Sequence, residues 1–323
     1  MPPHRLRQHR NHDYSQTMND FIIKPDPDAP GLSTAVTGID HTGAHVTTTV
    51  VTERPLTLYL NTQEVVTMMT IGDHPDLLAI GFLLNQNMLK PDDIITDVDF
   101  DDDLGVVVVR TERETNYEDK MKKKVRTSGC AQGTTFGDLM ESLEGFSFPK
   151  GASLRTSWLG KLTKAINTAP SLYLSAGAIH GCVLCEQERA LVYMEDVGRH
   201  NAVDKIAGYM HQNNVDPASK IFYTTGRLTS EMVIKTVKMG IPILVSRSGF
   251  TAWGVELAKQ AGLTLIGRAR GARFVALAGQ ERIIFDADMS TADDEDQKYR
   301  RKGAKNEAAE CCLLYTSPSP RDS

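Results

Sequence analysis

The chain has 323 residues, with 36 Lys and Arg against 41 Asp and Glu, a formal charge of −5. That length suits two modest domains or one large one, and the acidic balance disfavours non-specific duplex binding as the main task. The apolar residues make up 41% of the chain, about 46% once Gly is counted and Tyr left out, which is an ordinary globular value, and no apolar run nears the roughly 18 residues of a membrane span.

Residues 1–45 are polar and carry Pro2, Pro3, Pro25, Pro27 and Pro30, which reads as a disordered arm. Arg5, Arg7 and Arg10 precede no apolar core, so no signal peptide is expected. From Val46 the pattern tightens. Thr47–Val51 and Leu56–Leu60 are strand-like, with Asn61-Thr62-Gln63 as a turn into Glu64–Met69. The apolar residues of Pro75–Leu84 suit a helix packed on that sheet. Ile94–Phe100 and Gly105–Arg110 add strands about an acidic turn, so 46–121 reads as a small α+β domain.

A second α/β domain is expected over 122–286. Leu154–Asn167 reads as a helix, Leu172–Leu174 as a strand, and Ala178–Cys185 with Ala190–Met194 as a strand pair. Helices at Asn201–Gln212, Ser230–Met239 and Ala252–Gln260 alternate with strands at Ile221–Thr225, Ile243–Ser246 and Leu263–Ile266, and Gly262 stops the third helix. Repeated β-α-β favours a mainly parallel sheet covered by helices. Residues 287–323 lack periodicity and read as a disordered tail, with non-native sequence as one explanation of its ending.

There is no G-x-x-x-x-G-K-[ST], G-x-G-x-x-G or H-E-x-x-H. Five cysteines, Cys130, Cys182, Cys185, Cys311 and Cys312, are too few and odd in number for a secreted disulfide framework. A reducing cytoplasm is the simplest compartment. Cys130 sits among small residues in Arg126-Thr127-Ser128-Gly129-Cys130-Ala131-Gln132-Gly133, below Lys122, Lys123 and Lys124. Those cations favour the thiolate, as does a helix start at Thr135–Asp138, against a bland role as buried packing. Cys182 and Cys185 form a lone C-x-x-C beside His180. On a strand they point to opposite faces and cannot share an ion, so packing is preferred over a metal.

Glu195-Asp196-Val197-Gly198-Arg199-His200-Asn201 lies between a strand and a helix, where ligand sites gather in open α/β sheets, although solvated charges at a helix start look similar. Thr225-Gly226-Arg227-Leu228-Thr229-Ser230-Glu231 repeats that logic, with Thr229 or Ser230 as cap and Arg227 as phosphate partner. Ser246-Arg247-Ser248 follows the next strand. Arg268-Ala269-Arg270-Gly271-Ala272-Arg273 is a local anion site or a solvated basic turn.

Taken together, Glu53-Arg54-Pro55-Leu56, Gly81-Phe82-Leu83-Leu84, Ser128-Gly129-Cys130, Glu195 through Lys205 and Gly226-Arg227 resemble the FdhD family in order and spacing, over about Glu53 to Asp286. The resemblance implies a cytidine-deaminase-like main domain and a homodimer. It also implies a sulfur carrier, a sulfurtransferase in class, that takes sulfur from a cysteine desulfurase as a persulfide. The sulfur goes to the bis-molybdopterin guanine dinucleotide form of the molybdenum cofactor, for formate dehydrogenase. By position Cys130 matches the persulfide cysteine, and Arg268, Ala269, Arg270, Gly271, Ala272 and Arg273 match the cofactor-binding stretch, with Arg227 assigned beside them. The cofactor is then a bound acceptor, with no metal, nucleic acid or membrane partner. Gly133 stands where many members have a second loop cysteine, which puts a two-thiol relay in doubt but not a one-thiol carrier. A cofactor chaperone without sulfur transfer, a zinc-dependent deaminase and a redox sensor are the competing readings. The H-x-E of the zinc deaminases is missing, and Cys130 lacks a nearby resolving thiol.

Overall fold

The computed structural model describes residues 21–113, 146, 148 and 151–287. Cys130, the helix start at Thr135–Asp138 and the expected boundary at 121/122 lie outside them, as do residues 1–20 and 288–323.

Strands β1 (Ser33–Ile39) and β2 (His45–Val51) form a separate antiparallel hairpin. Residues 33–39 therefore correct the expectation of a loose arm. Residues just before them are also tied down: Ile22 N donates to Leu191 O at 2.7 Å and Tyr193 N to Ile23 O at 2.9 Å. Strands β3 (Arg54–Leu60), β4 (Gln63–Thr70), β5 (Ile95–Asp101) and β6 (Val106–Thr111) make a four-stranded sheet in the order β4-β3-β6-β5. Its inward residues, among them Leu56, Leu58, Leu60, Val107 and Val109, pack on helix α1 (Pro75–Asn85). Helix α1 is apolar all round, as a helix covered on both sides must be.

Beyond it, β7 (Leu154–Arg155) leads into α2 (Thr156–Thr168), and α3 (Leu172–Ser175) follows. Leu172–Leu174 was expected as a strand. It is a helical turn because the Ser171 hydroxyl accepts from Leu174 N, while the Glu195 carboxylate accepts Leu172 N at 2.8 Å and Tyr173 N at 2.9 Å. Strands β8 (His180–Glu186), β9 (Arg189–Asp196), β10 (Lys220–Thr224), β11 (Ile243–Ser246), β12 (Thr264–Arg270) and β13 (Arg273–Ala278) form a six-stranded sheet in the order β13-β12-β11-β10-β8-β9. Only β10/β11 and β11/β12 are parallel. The mainly parallel expectation is thus corrected: the β8–β9 and β12–β13 connections are tight turns, which can only join antiparallel strands. Strand β13 is itself unanticipated, since its first residues read as part of a basic stretch.

Helices α4 (Arg199–Gln212), α5 (Ser230–Lys238) and α6 (Ala252–Gln260) cover one face of this sheet, and α2 covers the other. Gly262 follows α6 at φ +65, a conformation in which glycine carries no Cβ penalty. The two sheets meet through α1 and α4. A Cβ on Gly81 would stand 1.7 Å from Asp204 O, and one on Gly208 would stand 2.0 Å from Leu77 O. Glycine at both positions is what lets these backbones touch. Among the described residues no helix is long and apolar enough to cross a membrane.

Candidate functional site

Strand register sets the site. His180 at the start of β8 pairs with Asp196 at the end of β9, Cys182 pairs with Thr224 at the end of β10, and Thr224 pairs with Ser246 at the end of β11. Helices α4, α5 and α6 begin just after β9, β10 and β11. One edge of the sheet therefore collects strand ends and helix N-termini, where backbone N–H groups and helix dipoles favour anions.

A hydrogen-bond lattice shapes that edge. Gly181 N donates to Thr225 Oγ1 and Thr225 N to Gly181 O, each at 2.9 Å. Ser246 Oγ donates to Gly226 O at 2.6 Å, Ser248 N to Ser246 Oγ at 2.9 Å, and Arg268 N to Ser248 O at 2.8 Å. These bonds bring the Arg227 loop and Arg268 onto one edge. Arg270, Gly271, Ala272 and Arg273 instead form the tip of the β12–β13 hairpin, where Arg270 pairs with Arg273. The three guanidinium-bearing residues of that stretch are exposed, and Ala269 between them is buried in the core beneath α2. Arg268 adopts φ +55, an uncommon conformation for a residue with a side chain. The Arg247 guanidinium lies 5.1 Å from the centroid of the Tyr173 ring, which α3 delivers to this edge.

The Glu195–Lys205 segment divides into two kinds of residue. Asp196, Asn201 and Lys205 clasp the two sheets together. Lys205, fully buried, reaches Asp196 Oδ2 at 2.6 Å, Glu195 O at 2.9 Å, and the Asp73 carboxylate. Thr70 Oγ1 donates to Asp196 Oδ2 at 2.5 Å, and Asn201 Nδ2 donates to Met69 O at 2.7 Å. Those flanking carboxylates raise the Lys205 pKa even though burial opposes it. Glu195 is pushed up by burial despite its two backbone donors. Asp73 and Thr70 were not anticipated, because no local pattern ties them to residues more than a hundred positions away.

Arg199 and His200 lie outside that clasp, and both are buried. His200 Nε2 lies 3.0 Å from Glu231 Oε2, within ion-pair reach though off the line of a hydrogen bond, and its Nδ1 has no partner among the described residues. Burial, and then Lys235 and Arg199, push the His200 pKa down, against the Glu231 carboxylate. His180 is lowered by burial and by Arg199, His200 and Arg227. Thr229 occupies the N-cap position of α5, but its hydroxyl does not cap: Oγ1 is buried and without a partner among the described residues.

Cys182 and Cys185 lie on opposite faces of β8, the first under α4 and α5 and the second under α2, so they cannot chelate one ion. Both are fully buried, and burial raises the Cys182 thiol to about 12 and the Cys185 thiol further. Cys182 Sγ donates to Thr224 Oγ1 at 3.4 Å.

Residues 51–284 match the model of the FdhD/NarQ family. A protein of Wolinella succinogenes named sulfur carrier protein FdhD is 32% identical over 225 residues, which is 69% of this chain and 78% of the relative. One of that name from Bacillus subtilis is 30% identical over 234 residues, 72% of this chain and 89% of the relative. Among solved structures, a chain from Desulfotalea psychrophila described as a formate dehydrogenase accessory protein superposes with a TM-score of 0.65 at 29% identity, covering 78% of this chain and 100% of that one.

Proposed function

The chain belongs to the FdhD/NarQ family, and from that premise we propose that it is a sulfur carrier serving formate dehydrogenase, with Cys130 as the carrier thiol. The carrying observation is the match, over most of the chain, to relatives named sulfur carrier proteins. The fate of the other cysteines supports the choice of residue. Cys182 and Cys185 are core groups whose raised thiol pKa values keep them protonated at neutral pH, and only a thiolate attacks sulfur. Cys311 and Cys312 fall in the aperiodic tail. Cys130 has small neighbours and a basic run upstream.

The step balances without an added oxidant. The Cys130 thiolate attacks the outer sulfur of a persulfide on a cysteine desulfurase. One S–S bond forms, the donor's S–S bond breaks, and the donor leaves as a thiolate. The carrier then holds Cys–S–SH and passes the sulfane sulfur to its acceptor, the bis-molybdopterin guanine dinucleotide cofactor. Arg227 and the stretch Arg268–Arg273 are proposed to hold the acceptor's phosphates, as paired guanidiniums do. A cytidine-deaminase-like main domain, a homodimer and a cytoplasmic setting belong to the same reading.

Cys130→Ala should fold and yet fail to activate formate dehydrogenase. After incubation of the wild-type chain with a desulfurase and cysteine, intact-mass analysis should show one added sulfur mapping to Cys130. Full activation by Cys130→Ala would overturn the carrier role and leave a cofactor chaperone.

A further inference from the structure

Strand β9 is an outer strand of the six-stranded sheet, and an outer strand offers a row of backbone groups with which another segment can pair. Residues 21–23 cover part of that row. Ile22 N and Ile23 N donate to Leu191 O at 2.7 and 3.4 Å, and Tyr193 N donates to Ile23 O at 2.9 Å, so that Ile23 lies beside Val192 in the parallel sense. Side chains clip the edge from both faces. Phe21 packs with the cluster beneath α2, its ring centroid 6.3 Å from that of Tyr193, and Ile23 packs with the cluster beneath α4. Ile22 between them is 59% exposed.

This cover is partial, and its sequence makes it so. Strand β9 has eight residues, and the backbone bonds reach only Leu191 and Tyr193. In a parallel ladder the next bond would run from the N–H of residue 25 to Tyr193 O, but residue 25 is proline and has no N–H. Tyr193 O, on the same side as its N–H, therefore receives no backbone donor from this segment. Pro27 and Pro30 follow, so the ladder cannot resume. The covered strand lies within residues 51–284, which match the family, and the cover lies ahead of them.

We propose that the outer edge of β9 is a docking site for an extended segment of a partner protein, and that residues 21–23 occupy it in the unbound chain. The chemistry of that segment is read from the present occupant. It carries an aromatic and an aliphatic side chain two positions apart, to straddle the edge as Phe21 and Ile23 do, and a residue with an N–H two positions further on. Such a segment makes the bond that Pro25 forfeits and continues along β9, so it displaces the three-residue strap by strand addition. The proposal does not rest on the sulfur-carrier reading.

Two measurements on the full chain test it. In native amide exchange the strap should open locally, so the Tyr193 N–H should exchange about a hundredfold faster than that of Phe222 in the middle of the sheet. Fluorescence anisotropy then follows a labelled peptide of residues 18–27 carrying Pro25→Ala. The chain with Phe21→Ala and Ile23→Ala, its strap released, should bind this peptide saturably. The wild type should bind it about tenfold more weakly, because its own strap competes at high effective concentration. The peptide that keeps Pro25 should also bind the released chain about tenfold more weakly, for want of one hydrogen bond. Tyr193 should lose its amide protection in the released chain and regain it with peptide. The proposal is overturned if Tyr193 exchanges as slowly as Phe222 in the wild type, if the released chain takes up no peptide at millimolar concentration, or if wild type and released chain bind alike, which would put the peptide elsewhere. A double variant that fails to fold makes residues 21–23 part of the core and overturns it too. Self-association of the released chain that peptide does not reverse gives the edge to a second copy and overturns the partner reading.

Discussion

Cys182 and Cys185 show how far a side chain's surroundings can silence its chemistry. Each sulfur is fully buried in apolar packing, and desolvation of the charged form is the first cause of its raised pKa. Alkylation requires the thiolate and access to it. Iodoacetamide at pH 8 should therefore leave both unmodified in the native chain and label them only in denaturant; rapid native labelling at either would contradict the buried placement. Cys182→Ala and Cys185→Ala should each cost about 1 kcal/mol, the scale of one methyl-sized deletion from a core, and leave sulfur loading intact. Asp286 shows the opposite influence. It accepts Ser157 N at 3.0 Å at the start of α2, and its pKa is lowered to about 2, first by that backbone donor.

At the scale of elements, the α1–α4 crossing is decided by two glycines. Any side chain at Gly208 collides with the Leu77 carbonyl, which is backbone and cannot swing aside. Gly208→Ala gains about 1 kcal/mol of helix propensity but must push the helices apart, so a net loss of about 2 kcal/mol is expected. Gly160 in α2 is the contrast: nothing lies within 4 Å of its added Cβ. Gly160→Ala should stabilise by about 0.5–1 kcal/mol. Urea unfolding of the two variants checks the pair, and shifts of the same sign would contradict the crossing geometry. Because α4 also carries Arg199 and His200, Gly208→Ala should disturb the strand-end edge as well.

For the molecule as a whole, burial of basic rings sets the acid response. His180, His200 and His211 are all lowered, with desolvation the first cause in each. The unfolded chain then binds protons first as the pH falls below 6.5, so stability is full above that value and declines through the lowered folded values. Glu195, raised by burial, works the other way, but it is one group against three. Asp93 and Asp286, lowered to about 2, contribute above 3.8 and lose that contribution only as the pH falls through about 2. The urea midpoint should therefore be lower at pH 5.5 than at pH 7.5, and His200→Gln should shrink the difference. An equal or higher midpoint at pH 5.5 would sink the assignment.

The sequence by itself determined the elements whose apolar period is long and regular. Helices at 199–212, 230–238 and 252–260 and the strands between them were readable because side-chain periodicity is a local property, and the helix at 75–85 because its nearly unbroken apolar run has a helix's length. The strand-end placement of the Arg227 and Glu195–Lys205 segments followed from it, as did the opposed faces of Cys182 and Cys185. Tertiary structure alone decided the rest. Leu172–Leu174 is helical because a distant carboxylate, Glu195, accepts its N–H groups. The sheet is mixed because pairing partners are chosen across the fold, and residues 33–39 form a strand because 45–51 lie beside them. The split of one motif into a clasp, Asp196 and Lys205 with Asp73, and a buried pair outside it, Arg199 and His200, depends on which residues α1 and α5 bring near. Charge, unlike periodicity, acquires its meaning only from what surrounds it.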